Sequence, residues 1–211
     1  MSKVDFKYND GSNIYFASDT HFFHKAINEL CKRPFETVEE MNLKMIENWN
    51  NKVPQDGLVF HLGDFAFAGA PLWRKVREQL NGKIILIKGN HDEKGLTQTI
   101  TQELFEYVAY QMKIEIEGRK VYLNHVPFLC YGGTYRDKNS LVFQLHGHVH
   151  LSNVKTRNTG LDCEKCFNNL FPTQYDVGVD FNNFTPISWY EVNDKILKQI
   201  ENKENLKMWV K

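Results

Sequence analysis

The chain carries no excess of charge of either sign: 26 basic residues balance 26 acidic ones among 211. This balance excludes a charge-driven, non-specific grip on nucleic acid, though it leaves room for a local basic groove. No apolar run approaches the roughly 18 residues that a membrane span requires, so no membrane partner is expected. Cysteine is scarce. Cys31, Cys130, Cys163 and Cys166 are too few and too scattered for a disulfide framework, and read as reduced thiols of a cytoplasmic protein. The opening residues Met1-Ser2-Lys3-Val4-Asp5 lack the apolar core of a signal peptide. No internal repeat or low-complexity linker divides the chain, so residues 1–211 are expected to form a single domain. The remaining composition, 42% hydrophobic and 25% charged, is that of an ordinary globular protein able to build a sizeable core.

Short apolar runs, each ending in polar residues, organise the sequence. Asn13–Ser18, Leu58–Leu62, Lys83–Lys88 and Leu141–Leu145 are rich in strand formers and read as buried strands. Residues 111–117 and 119–124 alternate around Gly118 as a hairpin with one solvated face. Thr37 with Glu40 forms a capping box. It opens a helix whose Val38, Met41, Met45 and Trp49 recur at helical spacing, which marks them as core. Pro71 opens a second helix that Gly82 is expected to stop. A further helix is expected over about 97–107. A last short strand is expected over 175–180, followed by a helix capped by Ser188 and Glu191.

Candidate site residues follow the strands. Asp19-Thr20-His21 closes the first, and these residues suit either a shared cation or a capped turn. Gly63-Asp64 closes the second. Gly89-Asn90-His91-Asp92 closes the third, where an Asn/Asp-rich turn is the competing reading. His125 ends the hairpin, and His146-Gly147-His148-Val149-His150 follows the strand over 141–145. Neutral imidazole is the commonest metal-binding side chain, and ligands of α/β sheets gather at the carboxyl ends of strands. The glycine within the histidine cluster is expected to let the backbone turn sharply. His61 lies inside its strand and reads as a core histidine. His24 faces either substrate or solvent. Arg33 has a planar fork suited to a phosphate oxygen, or is simply solvated before Pro34. The loop over 128–140, with Arg136, is expected to rim the site. Cys163 and Cys166 form one CxxC without a second pair, so a structural zinc is not expected.

Asp19-x-His21, Gly63-Asp64, Gly89-Asn90-His91-Asp92, His125 and Gly147-His148-x-His150 together resemble the five ordered motifs of the calcineurin-like metallophosphoesterase family. The Arg33-Pro34-Phe35 segment and Val177-Gly178-Val179-Asp180 are similar to small bacterial and phage members of that family. The resemblance implies an α/β sandwich of two mixed β-sheets flanked by helices, with the site at one edge. It implies two divalent transition-metal ions: one held by Asp19, His21, Asp64 and His150, the other by Asp64, Asn90, His125 and His148, with Asp64 bridging. Nitrogen and oxygen ligands together suit Mn, Fe, Ni or Zn, manganese first, rather than Mg or Ca. Two such ions about 3.5–4 Å apart can clamp a phosphoryl group and activate a bridging hydroxide. His91 matches the family position that faces substrate, and is assigned to protonating the leaving group. Asp92 is expected to brace its loop through backbone amides. The segment Phe65-Ala66-Phe67-Ala68-Gly69 lacks the aspartate that orients this histidine in the protein-phosphatase branch.

The expected activity is metal-dependent hydrolysis of a phosphodiester on a small-molecule or nucleotide-like substrate. A phosphomonoesterase is the nearest rival. A nuclease acting on DNA or RNA ends would require a basic strip beside the metals. A non-catalytic metal-binding scaffold would require lost ligands, and every position is filled.

Overall fold

The computed structural model describes residues 6–92, 103–128, 141–150 and 170–205. Ten strands among them form two five-stranded mixed sheets. The first sheet has the order β1-β6-β7-β8-β9, from β1 (Lys7–Tyr8), β6 (Gln111–Ile116), β7 (Arg119–Asn124), β8 (Phe143–His146) and β9 (Gln174–Asp176). The second has the order β10-β2-β3-β4-β5, from β10 (Ile187–Ser188), β2 (Ile14–Ala17), β3 (Leu58–His61), β4 (Lys83–Ile87) and β5 (Tyr107–Ala109). Strands β2, β3, β4 and β5 run parallel, as do β7, β8 and β9. The β6–β7 hairpin and the β10–β2 pair are antiparallel.

Side-chain alternation explains why β2, β3 and β4 are apolar but for His61 and Lys83. Successive residues of a strand point to opposite faces, and both faces of this sheet are covered. Phe16, Phe60, Ile85 and Ile87 face Ile114, Val121, Leu123, Phe143 and Leu145 of the first sheet. Ala17, Val59, Ile84 and Leu86 point the other way, onto a second core. Helix α2 (Val38–Lys52) supplies that core with Met41, Met45 and Trp49, and α3 (Ala70–Arg77) with Trp73 and Val76. A short α1 (Ile27–Leu30) adds Ile27. The C-terminal helix α4 (Trp189–Asn205) packs Trp189, Val192, Ile196 and Ile200 into the core between the sheets.

The expected caps form. Thr37 Oγ1 accepts from the Glu40 amide at 3.1 Å. The Glu40 carboxylate reaches Glu36 N rather than Thr37. Ser188 and Glu191 cap α4 reciprocally, at 2.9 and 3.4 Å.

Three boundaries differ from expectation. Helix α3 ends at Arg77, short of Gly82, because the Arg77 guanidinium turns back to take the carbonyls of Leu80, Gly82 and Leu104. The helix expected over 97–107 lies in part outside the described residues. At its end Tyr107 instead opens β5, whose pairing with β4 overrides local propensity. The last strand is also shorter than expected: β9 stops at Asp176, and beyond it Gly178 makes an isolated bridge with Ser18. Arg136, the CxxC cysteines, Cys130 and the expected rim loop beyond Phe128 fall outside the described residues.

Candidate metal centre

Parallel strands deliver their carboxyl ends to one edge, and the candidate residues lie just past those ends. Strand β2 leads to Asp19 and His21, β3 to Asp64, β4 to Asn90 and His91, β7 to His125, and β8 to His148 and His150. Hydrogen bonds carry the β2–β3 pairing into these loops: Asp19 N donates to Gly63 O and His21 N to Asp64 O, both at 2.9 Å. The two sheets are joined at this edge by the Ser18–Gly178 bridge, where Val179 N donates to Ser18 O.

The backbone here is unusual. Asp19, His21, Asp64, His148 and His150 all adopt positive φ, between 38° and 73°. Non-glycine residues rarely do so, and such geometry persists where the surroundings over-determine it. Gly63, at φ +99°, needs the left-handed region itself. Gly147 does not. Its requirement is close approach rather than a sharp turn, since a β-carbon there would collide with Ser18 Oγ and Asp19 Oδ2.

The side chains converge in two groups. Asp19, His21 and His150 place one ligand atom each within 4.8 Å of one another, and so do Asp64, His125 and His148. Asp64 stands between the groups, its Oδ2 lying 3.4 Å from Nε2 of both His21 and His125. Asn90 Oδ1 lies 3.0 Å from His125 Nε2. His150 Nε2 lies 3.6 Å from Asp19 Oδ1, and the His148 amide donates to Asp19 Oδ2 at 2.9 Å.

Several of these atoms lack a protein partner. Asp19 Oδ1 and both ring nitrogens of His21 are buried without a hydrogen bond. Buried polar atoms are normally satisfied, and a cation supplies what such lone pairs need. The first group therefore fits a divalent ion, and the second offers a similar set of carboxylate and imidazole donors that could hold one.

The carboxylates make the site electronegative. Burial pushes the Asp64 carboxyl up, but the adjacent His125 and His21 and the His91 amide outweigh it and hold it well below its ordinary range. Burial also opposes protonation of His125 and His150. Asp64 and Asp19 nonetheless raise His125 to about 9, and Asp180 and Asp19 raise His150 to about 11. His21, buried and beside His150, is lowered well below the usual value.

His91 belongs to neither group. Its amide anchors Asp64, while its ring lies exposed with its centroid 5.4 Å from that of His21. Phe67, 47% exposed, packs beside it and beside His24, with ring centroids 5.6 and 4.3 Å away. Half-buried His24 thus rims the site.

Arg33 is not free to hold a substrate phosphate. It is buried, and its five N–H groups are spent on both oxygens of Asp180, the carbonyls of Asp19 and Thr20, and Met41 Sδ. Asp92 is fully buried, and its carboxylate accepts from the amides of Asp64, Phe65 and Gly89 at 2.8–2.9 Å, the brace expected of it. His61 is a core histidine, with Nε2 3.0 Å from Thr20 Oγ1. Asp180 was not singled out by sequence reasoning, although it closes the Val177–Asp180 segment. Its Oδ2 lies 2.8 Å from His150 Nδ1.

The chain belongs to the calcineurin-like phosphoesterase superfamily, whose family model matches residues 13–166. It is similar to an uncharacterized protein of Methanocaldococcus jannaschii, 35% identical over 190 residues that cover 89% of this chain and 91% of the relative. It is also similar to the gene 66 protein of Mycobacterium phage D29, 24% identical over 80% of this chain and 88% of the phage protein. Among solved structures, a protein of unknown function from Aquifex aeolicus superposes with a TM-score of 0.61 at 25% identity, over 86% of this chain and 97% of that one. No helix among the described residues is long and apolar enough to cross a membrane.

Proposed function

We propose that the chain, as a single domain over 1–211, is a cytoplasmic metal-dependent phosphodiesterase with a binuclear centre. Asp19, His21, Asp64 and His150 hold one divalent ion, and Asp64, Asn90, His125 and His148 the other. The observation that carries this reading is Asp64, within 3.4 Å of a histidine from each group. The nitrogen and carboxylate donors favour Mn, Fe, Ni or Zn, with manganese first. Bound there, two such ions would polarise the phosphoryl oxygens and lower the pKa of water.

The chain's own residues supply the rest. Asp64, ionised at neutral pH, fixes the geometry between the two groups. His91 stands at the exposed rim and gives a proton to the leaving-group oxygen. Phe67 beside it offers an aromatic face on which a nucleobase or other flat leaving group can stack, a contact that tolerates many bases. This supports a small or nucleotide-like diester.

The test is hydrolysis of bis-p-nitrophenyl phosphate and p-nitrophenyl phosphate by protein stripped of metal and reconstituted with Mn, Ni, Zn or Mg in turn. Metal-dependent turnover of the diester is expected. A preference for the monoester would make the protein a phosphatase. Two bound ions without turnover of these esters, cyclic nucleotides or nucleic-acid ends would overturn the enzymatic reading.

A further inference from the structure

Asp180 lies outside the five ligand motifs, yet it is tied to both sides of the site. Its Oδ2 is 2.8 Å from His150 Nδ1, and its two oxygens take Nε and Nη2 of Arg33 at 2.8 Å each. The side chains of Arg33 and Asp180 are almost wholly enclosed, at 0% and 4% exposure. Arg33 continues the chain of contacts: Nη2 donates to the carbonyl of Asp19 at 2.7 Å and Nη1 to that of Thr20 at 3.0 Å. One buried strut thus runs from the loop carrying Asp19 to the imidazole of His150, across the two sheets.

An imidazole whose Nδ1–H is donated to a carboxylate turns its Nε2 outward, and such a partner fixes both the tautomer and the ring orientation of a ligating histidine. Nε2 of His150 is the nitrogen that faces Asp19 Oδ1, 3.6 Å away. A role confined to neutralising Arg33 does not account for the second bond from Oδ2. In the other group, Asn90 and His148 are exposed, and His125 Nδ1 has the neutral Leu62 carbonyl, at 2.7 Å, as its brace.

We propose that Asp180 is a positioning residue for His150, and that the strut through Arg33 makes the Asp19–His21–His150 half of the centre the pre-organised one, which fills first. This rests on the reading that the two groups hold ions. Arg33 and Asp180 bring His150 and the Asp19 loop to their liganding positions before any ion arrives, so that the first ion meets little reorganisation cost.

The experiment is calorimetric titration of metal-free protein with Zn²⁺, using a competing chelator to resolve tight binding. Wild type should bind two ions in two steps. Asp180→Asn, close in shape, should weaken the tighter step about 10–100-fold and leave the weaker one unchanged. The same substitution in a His150→Ala background should cause no further loss, since the effect passes through that ring. An equal loss in both backgrounds, or a loss on the weaker step, would overturn the proposal. Wild type that binds two ions while Asp180→Asn titrates identically would overturn this role alone, whereas wild type that binds none would overturn the metal-centre reading with it. Should the variant not fold, ¹⁵N spectra of histidine-labelled wild type loaded with Zn²⁺ decide the matter. His150 protonated at Nδ1 and metallated at Nε2 is the expected state, and the reverse tautomer would sink the assignment.

Discussion

The backbone amide of His91 donates to Oδ1 of Asp64 at 2.9 Å, so the residue assigned to proton transfer holds the central carboxylate through its main chain alone. The two duties are therefore separable by substitution. His91→Ala keeps the amide and should retain the full metal content. It should slow turnover of esters with poor leaving groups by about 10²–10⁴-fold and that of p-nitrophenyl esters far less. Equal losses for good and poor leaving groups would remove the general-acid role.

Asp64→Ala should behave differently. Its carboxylate is the contact shared by His21 and His125, and its loss should empty both positions. Elemental analysis finding two ions per chain in the purified variant would contradict a bridging carboxylate.

Gly147→Ala tests the close packing beneath Asp19. A β-carbon there meets Ser18 Oγ and Asp19 Oδ2, and one of them must move. The expected cost is about 1–3 kcal/mol of stability, with weaker metal binding as Asp19 is displaced. Denaturant melts together with a metal titration check both effects, and a variant equal to wild type in each would show that the loop yields freely.

Asp92→Ala should loosen the loop that presents Asn90 and His91. The change strands the buried amides of Asp64, Phe65 and Gly89, at about 1–3 kcal/mol for each group left unsatisfied. A drop in urea midpoint amounting to several kcal/mol is expected. A loss below about 1 kcal/mol would mean that water replaces the carboxylate.

His61 sets an acid limit on stability. Thr20 Oγ1 donates to Phe65 O at 2.7 Å, so its single proton is spent and His61 Nε2 must be the donor in their 3.0 Å contact. Burial lowers the ring from 6.5 to about 3. The unfolded chain therefore takes up a proton near pH 6.5 that the folded chain refuses until about pH 3. Stability from this group is complete above pH 6.5 and is lost as pH falls toward 3, by up to about 1.4 kcal/mol per pH unit. His61→Gln should flatten that limb of a stability–pH curve, and an unchanged slope would show that other groups set it.

The candidate residues after β2, β3, β4 and β8 were legible because each set follows a run too apolar to be anything but buried, so a polar cluster at its end has few structural reasons to be there. The two sheets and the principal helices were legible for the same reason, through periodicity and caps. Strands β1 and β10, of two residues each, are too short to show a period. Strand β5 forms because β4 offers it an edge, which no local window contains. Arg33 and Asp180 were both visible as residues but not as a pair, since 147 positions separate them and only the folded sheets bring them together. That separation is why Arg33 read as a phosphate fork, when its donors are consumed inside the protein.

The bridge between Ser18 and Gly178 has a consequence for motion. It lies at the seam between the sheets, and candidate ligands on either side of that seam meet across it: Asp19 and His21 from one sheet, His148 and His150 from the other. Any breathing that parts the layers at this edge must pull the two half-sites apart at the same moment. An ion held between them would act as a clasp on that breathing, stabilising the closed form by mass action. Amide hydrogen exchange at Val179 and His148, whose donors reach Ser18 and Asp19 across the seam, would then slow as the clasp closes, a direct gauge of how tightly the layers are shut.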